Sequence, residues 1–253
     1  ISPKEHGVEF LMDRRHLWLR SQRQWAAMRI RNRIIMAIHT YFQGEAFFQM
    51  DAPILTGNAV EGTSTLFELD YFDEPAYLTQ SGQLHGEAMA MAHGKIYTFG
   101  PTFRAENSHT TRHAAEFWMI EPEMAFCNLE GDMDLAEEFV KELTKGVLEG
   151  PEDDFGLFSN FVDKGLEERL KFIVERPFAR LSYSEAVEIL EKSGKEFDYP
   201  VGWGENLQSE HERFLTEEHC KSPVTVFDYP EAIKPFYMRR NDDGKTVAAM
   251  DVL

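Results

Sequence analysis

Residues 103–126 read Phe103-Arg-Ala-Glu-Asn-Ser-His-Thr-Thr-Arg-His-Ala-Ala-Glu-Phe-Trp-Met-Ile-Glu-Pro-Glu-Met-Ala-Phe126. Two strand-like runs, 95–106 and 116–126, flank a polar segment at 107–115. Because strand side chains alternate, Thr98, Gly100, Thr102, Arg104 and Glu106 share one face of the first run. Phe117, Met119, Glu121 and Glu123 share one face of the second, and Trp118 with Ile120 are expected to be buried on the other. If the runs pair as a hairpin, Arg104, Glu106, Phe117, Glu121 and Glu123 converge, with Arg112 and His113 on the loop between. That set suits a nucleotide. Arginine grips phosphate bidentately, phenylalanine stacks on a purine, one carboxylate accepts from an amino group, and paired carboxylates hold Mg²⁺ against phosphate oxygens. An ordinary sheet face carrying salt bridges fits the same spacing.

Outward from this stretch, apolar positions in 25–42 recur at three- and four-residue steps, predicting a long helix closed by Gly44. A strand over 46–55 must lie at an edge or an end where it reaches Pro53, since proline donates nothing to a ladder. Runs 66–72 and 76–79 read as strands joined by a turn at Asp73-Glu-Pro75, and 83–93 reads as a helix. Further on, Ser184 opens a helix stopped at Gly194, 223–229 is a strand, and 234–241 with 246–253 suggests a hairpin around Asp242-Asp243-Gly244. Helices and mostly antiparallel strands mix without a βαβ rhythm or an internal repeat. The expected class is α+β, an antiparallel sheet flanked by helices, over the single domain 1–253.

Of 253 residues 43% are hydrophobic, enough for one large core or two modest ones, which excludes intrinsic disorder. The net charge of −18 excludes a polycation that binds nucleic acid by bulk attraction, so any such contact must be local. The charge is polarised: 14–33 holds seven arginines and no acid, either a solvated helix face or an anchor for a polyanion, whereas 130–170 holds 13 acids and reads as amphipathic surface helix. Two cysteines, Cys127 and Cys220, are too few for a disulfide scaffold and point to a reducing compartment, the cytoplasm by default. Neither a membrane span nor an export signal is visible. His211, His219 and Cys220 lack a second cluster at ligand spacing and read as structural rather than metal-binding.

The string 103–126 closely resembles motif 2 of the class II aminoacyl-tRNA synthetases, in their aspartyl/asparaginyl/lysyl subgroup. Other stretches match in family order: 44–55 with Pro53 is similar to motif 1, Glu61-Gly-Thr-Ser-Thr-Leu-Phe-Glu to the loop that closes over the amino acid, and Leu78-Thr-Gln-Ser-Gly-Gln-Leu-His to the amino-acid pocket. The resemblance runs from Lys4-Glu-His-Gly-Val-Glu-Phe-Leu-Met to Met250-Asp-Val-Leu. It implies ATP-dependent formation of asparaginyl-adenylate and transfer to tRNA(Asn). Arg104 would then bind the ATP α-phosphate and the substrate carboxylate, Glu106 the adenine amino group, and Phe117 the adenine ring. Arg112 and His113 would reach the outer phosphates, and Glu123 would bind Mg²⁺.

Ser81, Gln83 and Glu61 would hold the ammonium and carboxylate of the amino acid. Glu121 would face its side chain, standing unpaired or water-linked until substrate arrives, and Arg239 is a further candidate for this pocket. Gly86 stands where aspartate-activating members carry a lysine, which implies asparagine rather than aspartate as substrate. The motif 1 match implies a homodimer around Pro53. Motif 3 and the N-terminal anticodon-binding OB domain are not in the sequence, so a truncated catalytic domain is expected. The alternatives are an aspartate-activating relative and a non-catalytic paralogue that binds amino acid or adenylate.

Overall fold

The long helix expected over 25–42 is present and runs 23 residues, its last turns belonging to a different compact unit from its first. The computed structural model describes residues 4, 6–58, 66–106 and 113–253. In chain order these form α1 (Val8–Met12), α2 (Arg15–Trp18), α3 (Gln22–Gly44), β1 (Phe48–Gln49), β2 (Leu55–Thr56), β3 (Glu68–Tyr71), β4 (Glu74–Leu78), α4 (Gln83–His93), β5 (Lys95–Phe103) and β6 (Glu116–Met124). Then follow α5 (Leu129–Leu148), α6 (Glu152–Phe161), α7 (Leu166–Glu175), β7 (Ala179–Ser182), α8 (Tyr183–Lys192), α9 (Ser209–Arg213), β8 (Val224–Pro230) and β9 (Thr246–Val252). The class is α+β, with antiparallel pairing throughout except for the parallel pairs β1–β5 and β7–β8. Contacts divide the chain into two compact units, Thr40–Asn128 and Ile1–His39 with Leu129–Leu253.

In the unit Thr40–Asn128 the last turns of α3 bring Phe42 to full burial, stacked on Tyr97 of β5 at 4.7 Å and edge-on to Phe47 at 5.1 Å. Two small sheets follow, ordered β1-β5-β6 and β2-β4-β3. The backbone joins them where Phe103 donates to the Thr79 carbonyl at 2.8 Å and Thr79 to that of Ile54 at 2.9 Å. Pro53 lies between the two short strands, so it costs no ladder bond. The β3–β4 turn falls earlier than the proline suggests: Tyr71 pairs with Glu74 and Asp70 with Pro75, which puts the reversal at Phe72-Asp73, with Phe72 at φ 55°. Pro75 is tolerated in β4 because β2 pairs only with Tyr77 and Leu78. Trp118 corrects another expectation: it is 50% exposed, touching Phe99 edge-on at 5.2 Å, because β6 is the outer strand of its sheet.

In the other unit, the sheet β7-β8-β9 and α8 enclose a core of Tyr183, Ala186, Val187, Leu190, Leu215, Val224, Val226, Tyr229, Val247 and Ala249. The cap of α8 is Ser182, not Ser184, and its hydroxyl accepts from the Glu185 N–H while Glu185 reaches back, completing a capping box. The expected hairpin is present in short form, the bridge of Arg240 to Val247 flanked by bonds from the Ala248 N–H to the Arg239 carbonyl and from the Asn241 N–H to that of Thr246, while β9 also pairs with β8. The 3₁₀ turn at Glu231–Ile233 and Pro235 delay this pairing until Arg239. Two arginines of the basic stretch act internally. Arg33 donates to the carbonyls of Gly146 at 2.6 Å and Glu149 at 2.9 Å at the end of α5, and Arg29 pairs with the buried Asp154 at 2.8 Å. His211 is a satisfied core histidine: Nδ1 accepts from the Gln208 N–H at 3.1 Å, and Nε2 donates to the Tyr199 carbonyl at 3.3 Å.

Candidate functional site

The register of β5 and β6 sets Ile96 opposite Glu123, Thr98 opposite Glu121, Gly100 opposite Met119 and Thr102 opposite Phe117. Directly opposed residues of an antiparallel pair share a face, so these eight form one surface, repeating every two residues or about 7 Å along the strand. The Arg104 N–H donates to the Ala115 carbonyl at 2.9 Å and extends the ladder one step. Its guanidinium then lies 5.4 Å from the centre of the Phe117 ring and contacts the Met119 sulfur at 3.9 Å. The floor beside it is open, because a Cβ added at Gly100 would meet nothing within 4 Å. An arginine over an aromatic ring beside a flat glycine floor can hold a planar base and an adjoining phosphate. Across the loop, Glu106 and His113 come within 3.8 Å of each other. Arg112 and Glu61 lie outside the described residues.

The other end of the surface is covered by α4. Its N-cap is Gly82, which has no side chain to cap with. Glu121 supplies the cap from the neighbouring strand: its two oxygens accept from the Gly82 N–H at 3.1 and 2.9 Å, from the Ser81 hydroxyl, and from the Thr98 hydroxyl at 2.9 Å. A carboxylate at a helix N-terminus is favoured by the helix dipole as well as by the bonds. The expectation of an unpaired or water-linked Glu121 is therefore overturned, since an ionised group on a part-buried face takes whatever donors the chain offers. Ser81 is fixed in turn. Its hydroxyl accepts from the Gln83 N–H at 3.1 Å, while the Thr79 hydroxyl donates to its carbonyl at 2.7 Å. The Gln83 side-chain amide donates to Glu87 at 3.0 Å.

Gly86 faces the sheet where α4 approaches it most closely, and a Cβ there would stand 3.2 Å from Glu123 Cγ and 3.3 Å from Ile96 Cδ1. Glu123 thus lies under α4, two residues beyond Glu121. Among the described residues no group of three or more His, Cys, Asp or Glu side chains could hold a metal. A single carboxylate such as Glu123 suits a magnesium ion that nucleotide phosphates also coordinate. Arg239 belongs to the other unit, is exposed, and accepts the Ala248 N–H on its carbonyl at 2.8 Å. Sequence reasoning assigned no role to Gly82, Thr79 or Thr98. Thr98 was on the right face, and the register opposite Glu121 was the signal that could have found it.

The site thus joins an arginine over an aromatic ring to a carboxylate-capped helix start along one sheet face of an α+β fold. The family model for class II tRNA synthetases (D, K and N) matches residues 7–253, and the chain belongs to this family. The relatives narrow the subgroup. The chain is 51% identical over 272 residues to the asparagine–tRNA ligase of Oleidesulfovibrio alaskensis and 52% identical over 260 residues to that of Desulfotalea psychrophila. All of this chain is covered in both comparisons, and it spans 59% and 58% of the length of those relatives. Among solved structures, the asparaginyl-tRNA synthetase from Pyrococcus horikoshii complexed with asparaginyl-adenylate superposes with a TM-score of 0.88 at 38% identity, over all of this chain and 56% of that one. No described helix is long and apolar enough to cross a membrane.

Proposed function

We propose that the protein activates asparagine with ATP to give asparaginyl-adenylate and pyrophosphate, then passes the asparaginyl group to the terminal adenosine of tRNA(Asn). The observation that carries this reading is the continuous face from Phe117 and Arg104 to Ser81 and Glu121, which offers a nucleotide platform and a polar pocket in line. An asparagine carboxylate is ionised at neutral pH, so its attack on the α-phosphorus needs no general base. Catalysis rests on holding the two substrates in line and on offsetting phosphate charge.

Arg104 is the residue for the α-phosphate and the attacking carboxylate, Phe117 for the adenine face, and Glu106 for the adenine amino group, with His113 and Arg112 toward the outer phosphates. Glu123 would help hold a Mg²⁺ ion brought in with those phosphates, and that ion would offset their charge. Ser81, Gln83 and Glu61 take the ammonium and carboxylate of the amino acid, and Arg239 is a further candidate for amino-acid binding. Glu121 accepts four hydrogen bonds from three donors within the chain, and the side-chain NH₂ of asparagine would share its oxygens with the Gly82 N–H, which both oxygens now divide. Aspartate would bring a like charge there, and Gly86 offers no cation to offset it.

The 253 residues are proposed as part of a catalytic domain acting in the cytoplasm as a homodimer around Pro53. ATP–pyrophosphate exchange in the full-length protein tests the reading, with asparagine expected to exceed aspartate by at least about a hundredfold in kcat/KM. Comparable rates would move the protein to the aspartate branch. Absence of exchange with either would leave a binding paralogue.

A further inference from the structure

We propose that Thr98 is a positioning residue for amino-acid binding, acting through Glu121 on Ser81 and the start of α4. The inference rests on the functional reading above and goes beyond its substrate contacts. Thr98 is 3% exposed in the middle of β5. Valine has the same shape and suits a buried strand at least as well, so packing alone gives no reason for a hydroxyl there. A buried hydroxyl is retained at low cost only when it is hydrogen-bonded, and this one donates to Glu121 Oε2 at 2.9 Å. The bond fixes the carboxylate plane so that Oε1 meets the Ser81 hydroxyl and both oxygens straddle the Gly82 N–H.

The backbone is shaped around the same contact. A Cβ on Gly82 would stand 2.8 Å from Thr98 Oγ1, 3.0 Å from Glu121 Oε2 and 3.1 Å from Ala52 Cβ, so only glycine lets the loop, β5 and β6 meet here. Without the Thr98 hydroxyl, Oε2 keeps the Gly82 N–H alone. The carboxylate is then held only by the loop it orients, and Ser81, whose hydroxyl also accepts from the Gln83 N–H at 3.1 Å, loses an acceptor fixed from the strand. Phe117 pairs with Thr102, four residues along β5 from Thr98, so the KM for ATP reads a different part of the face.

The test is steady-state ATP–pyrophosphate exchange in the full-length protein carrying Thr98→Val or Thr98→Ser. Thr98→Val is expected to raise the KM for asparagine about tenfold or more, the scale of one charge-assisted hydrogen bond, and to leave the KM for ATP within about twofold. Thr98→Ser, which keeps the hydroxyl, is expected to restore the asparagine KM. If the valine methyl is not accommodated, Thr98→Ala reads the same loss in less space. An unchanged asparagine KM in an active Thr98→Val enzyme overturns this inference and leaves the functional reading standing. Equal rises in both KM values that serine does not reverse also overturn it, since that pattern is general loosening of the sheet. A parent enzyme without exchange activity overturns the functional reading and this inference together.

Discussion

At Gly82 and Gly100 the same residue type answers to opposite surroundings, and the difference is measurable. Gly82→Ala forces a methyl to within 3.0 Å or less of Thr98 Oγ1 and Glu121 Oε2, and overpacking of this kind is expected to cost about 1–3 kcal/mol in denaturant unfolding. Gly100→Ala meets nothing within 4 Å and is expected to leave stability within about 0.5 kcal/mol. Arg104→Ala separates function from folding. Its guanidinium makes a cation–π contact with Phe117 and touches Met119, contacts on a sheet face, so stability is expected to fall by no more than about 1 kcal/mol. Pyrophosphate exchange is expected to drop by at least about a hundredfold, because a phosphate contact strengthens in the transition state. Activity within tenfold of the parent would remove Arg104 from the α-phosphate.

Among the elements, α8 shows how a short helix is fixed by its first turn. The Ser182–Glu185 capping box satisfies two N-terminal donors at once, and Ser182→Ala is expected to cost about 1 kcal/mol of stability by thermal or denaturant unfolding. The Ser182 hydroxyl, and after it the Ser182 N–H, hold the Glu185 carboxyl below its ordinary value. The N–H groups of Lys245 and Thr246, with the Thr246 hydroxyl, do the same for Asp243 in the turn before β9. A carboxyl depressed in the folded state binds fewer protons there than in the unfolded chain. Its stabilisation is complete above the unfolded carboxyl range and is lost as pH falls through the lower folded value. Glu185→Gln is therefore expected to flatten the acid limb of a melting-temperature profile while leaving its neutral end lowered by the lost cap. An acid limb as steep as the parent's would mean that Glu185 titrates in the fold as it does in the unfolded chain.

For the molecule as a whole, the segment around Pro53 presents apolar side chains to solvent: Phe48 at 56%, Ile54 at 45% and Leu55 at 45% exposure, with Pro53 itself exposed. A cluster of this kind suits a self-complementary contact, in which the same patch meets itself across a twofold axis. The proposed homodimer is checked by light scattering of the full-length protein at micromolar concentration. The parent is expected at twice the monomer mass, and the double change Ile54→Asp with Leu55→Asp at the monomer mass. A monomeric parent would refute the dimer. The net charge of −18 keeps the remaining surface soluble and confines any contact with a polyanion to local basic groups.

The alternation of residues 95–106 and 116–126 by itself determined that Arg104, Phe117 and Glu121 share a face, because a period of two is a property of any strand whatever it packs against. The 3.6-residue period likewise determined α3, an Ala- and Met-rich composition α4, and the motif 2 string the family. Tertiary structure decided what that periodicity leaves open. Glu121 became the cap of a helix that starts on glycine because packing α4 onto the strand pair brought Ser81, Gly82 and Thr98 to its oxygens. Arg29 and Arg33, indistinguishable in sequence from their solvated neighbours, were drawn to Asp154 and the end of α5 by the position of those elements. The hairpin partner of β9 is confined to 239–241, and tertiary structure added the buried strand β8 as its main partner, which removes more apolar surface from water than the polar run can. Local sequence fixes which way a side chain points. Only the packed chain fixes what it meets, since donors and acceptors distant in sequence compete for the same atoms.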